Sequence, residues 1–394
     1  MTGRLNIIGR LLKYARTFWR LGSIAKRRYD VSRWSMLREH MALRRATRLR
    51  LQEYFTYGLC DPLMSRERKM EYVGQALMRP LWSALNPIEY RYLFKNKLIF
   101  KHLCRAKDLP APSLLGTFDP DYGVDANGSP LCTPQDLSRW AEENEGTDFV
   151  VKPAEGAEGQ MVLSLRAQAD EDCVFRSVNG EGWKARELYD YLTDQDKIEA
   201  ACSGVPEIRP VFLFEERLRS HPALAELSPE TLCTFRIVTL RERGLDTQII
   251  AASFKLQPSS SGADNIARGA MAISIDAENG RLGTGWIKPH DGEMPSVKRY
   301  KAPPGTDIHF TGKEIPFWKE VCDLSRTAAD AFPYVRAVGW DIAVTGEGPY
   351  LLEGNWAWGE TLAQGGSGRG IYRGHFKEVC ERLRAEGRAD KALV

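Results

Sequence analysis

The sequence lacks any feature that would carry the chain across a membrane. None of its apolar runs approaches the about 18 uninterrupted residues that a membrane-spanning helix requires. Near the N-terminus, Arg10, Lys13 and Arg16 interrupt the apolar stretch that a secretory signal would need. We therefore expect a cytoplasmic protein.

Cysteine is scarce and widely spaced, and the common nucleotide and hydrolase motifs are missing. The nearest two of the eight cysteines, Cys104 and Cys132, are 28 positions apart, which excludes CxxC zinc and redox motifs and favours reduced, buried thiols. The chain has no GxxxxGK[ST], GxSxG or HExxH motif, and no GxGxxG follows a predicted strand. Any nucleotide must therefore be held by another arrangement.

The composition is that of a folded protein with an uneven charge distribution. With 43% hydrophobic and 27% charged residues, the chain is neither disordered nor fibrous, and 394 residues suffice for two or three packed lobes. Residues 1–57, here called the basic head, contain 14 Lys and Arg against three acidic residues, a net charge of +11. The remainder carries −8, so a basic head precedes an acidic body.

The basic head has the pattern of helices. Proline is absent from it, and apolar residues recur every three or four positions from residue 4 to 57. Its cations are either a solvated helix face or a surface that rests on anionic lipid at the inner face of the membrane, with Phe18 and Trp19 at the interface. Nucleic acid is not expected as a partner, because no recognised nucleic-acid motif accompanies the cations.

Beyond the basic head, the predicted secondary structure changes from helices to a mixture of helices and strands. A helix is predicted from Asn86-Pro87 through His102, and after Leu109 short apolar strands alternate with helices and turns. The glycine-rich run 364–370 is compatible with a grip on an acidic acceptor or with a loose tail. Strands are predicted at 149–151, 161–165, 211–214, 235–240, 249–252, 270–275, 337–344 and 350–352, and helices at 134–145, 184–194 and 313–331.

One lysine lies where a strand meets a glycine-containing loop. The apolar strand Val150-Val151 leads into Lys152-Pro153, and Gly156 and Gly159 follow before the next strand. An ammonium beside flexible backbone N–H groups can hold nucleotide phosphates. The alternative is an ordinary β-hairpin with a surface lysine.

Three oxygen-bearing side chains lie on two consecutive apolar strands. Asp341 is in the first strand, and Glu353 and Asn355 follow in the next, where side-chain alternation puts them on one face. Two carboxylates and an amide oxygen suit Mg²⁺, which also keeps waters and shares phosphate oxygens. The alternative is a polar hairpin end that binds nothing.

Taken in order, the motifs resemble a known superfamily. N-K-L-x-x-K at 96–101 is followed by V-V-K-P, by a strand ending in E-E at 215–216, by T-F-R-I-V-T, by G-W-D and by L-E-G-N. This order resembles that of the ATP-grasp superfamily over residues 90–365. The residues within the motifs are most similar to those of its branch found beside sugar-transfer genes. The resemblance implies an α+β fold in which two α+β lobes clasp ATP.

The resemblance also implies a role for particular residues. The D-K dipeptide of the family appears here as Asn96-Lys97. The D-N…G-G loop of the family appears at 262–270, with Ala270 in place of the second glycine. Asn265 and Arg268 in this loop are therefore weaker candidates for site residues than the metal ligands. The implied roles are ATP contact for Lys97, Lys152, Gly156, Gly159, Glu215 and Glu216, Mg²⁺ coordination for Asp341, Glu353 and Asn355, and stabilisation of the transferred phosphoryl group for Arg236 and Lys255.

The function implied is an ATP- and Mg²⁺-dependent carboxylate–amine ligase that works through an acyl-phosphate. The branch suggests a cell-surface glycan or its precursor as substrate, and phosphoryl transfer to a sugar hydroxyl is the alternative reaction. We expect a basic helical region at 1–85, a catalytic body at 86–370 and a C-terminal helix at 371–394.

Overall fold

A computed structural model describes residues 2–156, 159–168, 170, 174–202, 211–229, 231–256, 270–289 and 297–388. Within these ranges, a helical N-terminal region precedes two antiparallel sheets with helices packed on them. This is the mixed architecture that the sequence predicts. The candidate loop residues Asn265 and Arg268 lie outside the described ranges.

Five helices open the chain; the first four enclose a small core of their own, and the fifth packs into a separate core. The second helix begins at Ser32, whose hydroxyl accepts the backbone N–H of Ser35 at 3.1 Å. Leu21, Met36 and Tyr54 are fully buried between the helices, so the predicted helical head is confirmed. In the described ranges, no helix is both long and apolar enough to span a bilayer. The helices are α1 (Thr2–Tyr29), α2 (Arg33–Thr47), α3 (Leu51–Thr56), α4 (Arg66–Met70) and α5 (Gln75–Leu85).

The first sheet is covered on one side by helices that are anchored by aromatic packing. Trp140, on the helix that follows the second strand, packs edge-on against Phe149 and Phe214, with ring centroids 4.8 and 5.2 Å away. That helix starts sharply because Thr133 and Asp136 form a capping box around Pro134. The helices packed on this sheet are α8 (Pro134–Glu143), α9 (Ala185–Leu192) and α10 (Gln195–Ala201). They are preceded by α6 (Ile88–Lys95) and α7 (Lys97–Ala106), whose buried Phe94 and Phe100 belong to the core of the second sheet. The strands are β1 (Leu114–Phe118), β2 (Val124–Asp125), β3 (Asp148–Pro153), β4 (Leu163–Ala167), β5 (Phe175–Ser177), β6 (Gly182–Trp183) and β7 (Phe212–Glu216), in the order β2-β1-β7-β3-β4-β5-β6.

The second sheet holds the largest core of the described chain. Its strand Ala337–Thr345 is buried at every residue, which explains its nearly continuous apolar sequence. The helix predicted from residue 313 begins only at Trp318, after Phe317 takes a left-handed backbone conformation (φ 55°). The elements are α11 (Pro222–Ala225), β8 (Thr234–Leu240), β9 (Gln248–Leu256), β10 (Met271–Ile275), β11 (Leu282–Ile287), α12 (Trp318–Ala331), β12 (Ala337–Thr345) and β13 (Gly348–Asn355), with strand order β11-β10-β9-β8-β12-β13.

Two helices end the described chain, α13 (Glu360–Ser367) and α14 (Gly374–Ala385). The glycine-rich run is therefore largely helical and is not a loose tail, and a grip on an acidic acceptor through Arg369 and Arg373 stays a prediction. A Cβ on Gly365 would lie 2.2 Å from the Trp286 ring, so glycine lets α13 approach the second sheet closely. Arg369, after the helix, pairs with Glu71 at 2.9 Å. The proposed domain limits stay a prediction.

Candidate active site

The site begins where one predicted helix is divided in two. The expected helix over 86–102 breaks at Asn96, which ends α6 and caps α7 by accepting the backbone N–H of Ile99 at 3.0 Å. Lys97 is therefore the first residue of α7. Its backbone N–H donates to the carbonyl of Ala154 at 2.8 Å, and its Nζ donates to the carbonyl of Gly156 at 2.9 Å. Both contacts tie α7 to the glycine-containing loop after β3.

A buried carboxylate between two lysines forms the part of the site on the first sheet. Glu215 on β7 is 3% exposed, and its Oε2 lies 2.8 Å from Nζ of Lys152 on the neighbouring β3 and 3.4 Å from Nζ of Lys101 on α7. Burial by itself would raise the pKa of Glu215, but the two ammonium groups outweigh it and hold the pKa below its usual range. Glu215 Oε1 is buried without a hydrogen-bond partner among the described residues.

Lys101 is the functional candidate that the sequence reasoning missed. It is 5% exposed, and burial lowers its pKa to about 8 although Glu215 opposes the shift. The signal was present in N-K-L-x-x-K, because its two lysines are four residues apart and such residues lie on the same face of a helix.

On the second sheet, one aspartate is held by two cations. The carboxylate of Asp341 on β12 accepts from Nε and Nη2 of Arg236 on β8 at 2.5 and 2.8 Å, and from Nζ of Lys255 on β9 at 3.2 Å. Burial favours the neutral acid, but the guanidinium and ammonium groups hold the pKa of Asp341 well below its usual range. Arg236 also donates to the carbonyl of Trp358 at 2.9 Å. The two predicted catalytic residues therefore meet at the first predicted metal ligand.

The other two predicted metal ligands lie next to Asp341. The register of β12 and β13 places Glu353 opposite Asp341, and the amide nitrogen of Asn355 donates to Glu353 Oε1 and to the carbonyl of Gly339, each at 3.3 Å. Burial first, and the negative charge of Asp341 second, raise the pKa of Glu353. Asp341 is therefore the stronger acid of the pair, and Glu353 is the carboxylate that binds a proton more readily.

Lys97 connects the two sheets electrostatically. Burial lowers its pKa, Glu353 and Glu215 oppose that shift, and Lys152 adds to it. Its ammonium is thus within electrostatic range of groups on both sheets. Five cations and three carboxylates make up the cluster, a formal excess of two positive charges, and they are Lys97, Lys101, Lys152, Arg236, Lys255, Glu215, Asp341 and Glu353.

Two motif glycines let side chains pack against this cluster. A Cβ on Gly339 would lie 2.4 Å from Cβ of Trp358 and 2.9 Å from Cδ of Arg236, and one on Gly354 would lie 2.4 Å from the Phe94 ring. These distances are too short for an alanine without movement of the neighbour. The glycines in G-W-D and E-G-N are therefore packing requirements at the site.

The remaining predicted residues lie around the cluster. Glu216 is exposed and accepts the backbone N–H of Ser113 at 3.3 Å, and strand alternation points its side chain away from that of Glu215. Gly159 has a left-handed conformation (φ 68°), and residues 157–158 of its loop are outside the described ranges. Nucleotide contact by Gly156, Gly159 and Glu216 stays a prediction.

The oxygen groups of Asp341, Glu353 and Asn355 fit a hard divalent cation. The amide nitrogen of Asn355 is used in hydrogen bonds, which leaves its oxygen as the group available to a cation. In the described part of the chain, no three His, Cys, Asp or Glu side chains come together as a metal cage. Any Mg²⁺ would therefore need further oxygens from a ligand or water, as is usual for this ion.

Two antiparallel sheets share a net-cationic cluster with a carboxylate–amide group, which is the arrangement that the resemblance to ATP-grasp proteins implies. The profile described as sugar-transfer associated ATP-grasp matches residues 77–381. The chain therefore belongs to the sugar-transfer associated ATP-grasp family, and the predicted fold and family are both confirmed.

Solved structures give distant matches. The ATP-grasp ligase PsnB, complexed with a minimal precursor, is 18% identical, and the match covers 77% of this chain and 64% of that one with a TM-score of 0.35. Biotin carboxylase from Campylobacter jejuni is 10% identical, with coverages of 82% and 54% and a TM-score of 0.45. D-alanyl-alanine synthetase A from Vibrio cholerae is 10% identical, with coverages of 76% and 66% and a TM-score of 0.40. The chain thus spans less than two thirds of the PsnB chain. The comparison with curated proteins gave no match.

Proposed function

We propose that this protein is an ATP- and Mg²⁺-dependent carboxylate–amine ligase. The observation that carries the proposal is the buried, net-cationic cluster shared by the two sheets, with Lys97 in electrostatic range of both Glu215 and Glu353. Buried charge of one sign is costly unless a partner neutralises it. A triphosphate with its metal ion is a polyanion of the size and charge that such a cluster would accept.

Nucleotide binding is assigned to the first sheet and α7. Lys97 and Lys152 would contact phosphate oxygens, and the loop from Gly156 to Gly159 would supply backbone N–H groups. The unpartnered Oε1 of Glu215 is a buried acceptor beside these lysines and fits an amino or hydroxyl donor of the nucleoside. This supports a place for Glu215 at the nucleoside end of the site.

Asp341, Glu353 and Asn355 are the residues that would hold Mg²⁺. When bound, the ion would neutralise charge on the phosphate oxygens and orient them. Lys255 and Arg236 keep Asp341 ionised and fixed in position, because both donate to its carboxylate. The same two cations are proposed to stabilise negative charge that builds on the transferred phosphoryl group.

The reaction proposed needs no covalent intermediate on the protein. A substrate carboxylate oxygen attacks the γ-phosphorus of ATP, the bond to the β-phosphate oxygen breaks, and ADP leaves. An amine then attacks the acyl carbon of the acyl-phosphate, the amide forms, and inorganic phosphate departs with the loss of a proton from nitrogen. The protein contributes positioning and fixed cations.

The substrate is proposed to be a cell-surface polysaccharide or a glycan precursor, modified in the cytoplasm. The support is the description of the family, which associates this branch with sugar transfer. Uronic acids are carboxylates of that chemical class, and amino acids can provide either the amine or the carboxylate.

The test is turnover with defined substrates. Purified protein is incubated with ATP, Mg²⁺ and panels of uronic acids and amino acids, and both phosphate release and product mass are measured. We expect one inorganic phosphate per amide formed, and no turnover for Lys152→Met, whereas Lys107→Met at the exposed end of α7 is the matched control. A product that gains the mass of a phosphoryl group instead would establish a kinase. Unchanged ATP affinity in Lys152→Met would refute the nucleotide site.

A further inference from the structure

The outer faces of α1 and α2 combine exposed apolar side chains with cations. Leu12 and Trp19 on α1 are 66% and 59% exposed, and Trp34 and Met41 on α2 are 81% and 39% exposed. Along each helix these residues are seven positions apart and so lie on one face. The opposite faces bury Leu21, Met36 and Leu43 in the core of the N-terminal region. The exposed apolar residues therefore do not belong to the fold's own core.

The same outer faces are cationic and almost free of acidic residues. α1 contains no Asp or Glu at all. The one acidic residue of α2, Glu39, is engaged by Nζ of Lys69 at 2.7 Å and the hydroxyl of Tyr54 at 2.6 Å. The exposed cations beside the apolar residues are Lys13, Arg16, Arg20, Arg38 and Arg45.

The two outer faces join into one surface. The guanidinium of Arg33, at the start of α2, lies 4.7 Å from the ring centroid of Trp19, and its Nη2 donates to Ser23 on α1 at 2.6 Å. Arg33 therefore joins the face of α1 that carries Trp19 to the first turn of α2, where Trp34 is the next residue. We call this surface, formed by the exposed residues of α1 and α2, the head surface.

We propose that the head surface binds an anionic lipid bilayer. Tryptophan prefers the interface between headgroups and acyl chains, and an amphipathic helix with Lys and Arg lies in the plane of that interface. Charge complementarity selects an anionic leaflet, which attracts each nearby Lys or Arg with about 1 kcal/mol. The rest of the chain carries −8 and is repelled by such a surface, so the protein would bind with its basic head toward the lipid.

A bilayer fits this surface better than a nucleic acid does. Nucleic-acid binding rests on cations that contact phosphates, and it gives no place for Leu12 and Met41 beside them. An interfacial helix needs both kinds of side chain on one face. The proposal is independent of the reaction assigned to the active site.

The experiment is co-sedimentation of the full chain with lipid vesicles at physiological salt. Vesicles of phosphatidylcholine alone are compared with vesicles that contain phosphatidylglycerol, and we expect binding only to the second. Each of Arg16→Gln, Arg20→Gln and Arg38→Gln should weaken binding about fivefold. Trp19→Ala combined with Trp34→Ala should also weaken vesicle binding. Because both side chains are exposed, we expect the double variant to stay folded, and thermal melts check this.

Matched controls come from the body of the protein. Tyr122 is 81% exposed, as Trp34 is, so Tyr122→Ala should bind vesicles like the unaltered chain. Lys319→Gln on α12 is the corresponding control for charge, since its side chain is 85% exposed. Equal binding to neutral and anionic vesicles, or unchanged binding in the arginine variants, would overturn the proposal. So would displacement of the protein from anionic vesicles by an equal phosphate concentration of duplex DNA.

Discussion

The two carboxylates of the proposed metal site are expected to respond oppositely to loss of their charge. Asp341 and Glu353 face each other in register, yet Asp341 is ion-paired with Arg236 and Lys255, whereas burial and the charge of Asp341 raise the pKa of Glu353. Asp341→Asn and Glu353→Gln are nearly isosteric changes. They therefore isolate the electrostatic role of each residue.

The structure sets the size of each effect on stability. Asp341→Asn leaves a guanidinium and an ammonium buried without their common anion, and breaking a buried ion pair costs about 3–5 kcal/mol. Glu353→Gln instead removes a carboxylate whose ionised form is disfavoured by burial and by the charge of Asp341. Because the folded pKa of Glu353 lies above its unfolded value, ionisation at rising pH destabilises the native chain. The glutamine variant should thus equal the unaltered chain at low pH and exceed it at high pH.

The assay is urea denaturation in the presence of EDTA, at pH 5 and pH 8. We expect Asp341→Asn to lose about 3–5 kcal/mol of unfolding free energy and Glu353→Gln to lose none. Glu278→Gln on an exposed turn is the control and should change little. Both site variants should lose the extra stability that Mg²⁺ and ATP give the unaltered chain. If Glu353→Gln is destabilised as much as Asp341→Asn, the opposite directions assigned to the two pKa shifts are wrong.

Three further predictions concern the surroundings of the site. Lys101→Met keeps the side-chain volume but removes one of the two cations beside Glu215, so we expect the free energy of unfolding in urea to fall by roughly 2 kcal/mol. Lys107→Met, at an exposed position, is the control and should change that free energy little. Equal losses in the two variants would contradict the buried ion pair. Burial raises the pKa of Glu360 to about 7, above the pKa of this side chain in the unfolded chain. The native chain should therefore lose stability as the pH rises from the unfolded-state pKa through 7. Glu360→Gln should be about 3 kcal/mol more stable than the unaltered chain at pH 9 and equally stable at pH 4. A pH-independent difference between the two would exclude that assignment. Gly354→Ala should cost about 1–3 kcal/mol of stability because the added Cβ would meet Phe94. Gly346→Ala, in the adjoining turn, has open space around the added Cβ and should be tolerated. Thermal melts of both variants, and of Gly354→Ala combined with Phe94→Leu, will show whether the clash is the cause.

Several features could be predicted from the sequence because they depend on local patterns. Alternation and apolar runs located β3, β8 and β12 to within a few residues, since a strand's side-chain period is a property of the chain itself. The order of motifs identified the family. Lys152, Asp341 and Glu353 were selected because each interrupts an apolar strand, where a charged group requires a partner.

Other features depend on contacts between distant segments. The spacing of Lys101 from Lys97 indicates a shared helix face, but its ion pair could not be predicted, because its partner Glu215 is 114 positions away in the sequence. The helix in the glycine-rich run was missed because glycine disfavours an isolated helix, and only close packing of Gly365 on Trp286 compensates for it.

The sequence alone thus determined the family, the strand pattern and most of the charged residues of the site. Only the tertiary structure decided which of these charged groups form ion pairs and in which direction their pKa values shift. Arg236 lies on β8, next to β12, and Lys255 lies on β9, one strand further away, and both donate to Asp341. Burial first, and the charge of Asp341 second, then raise the pKa of Glu353. Coulomb energies depend on distances and burial across the folded chain, and no local pattern of residues contains that information.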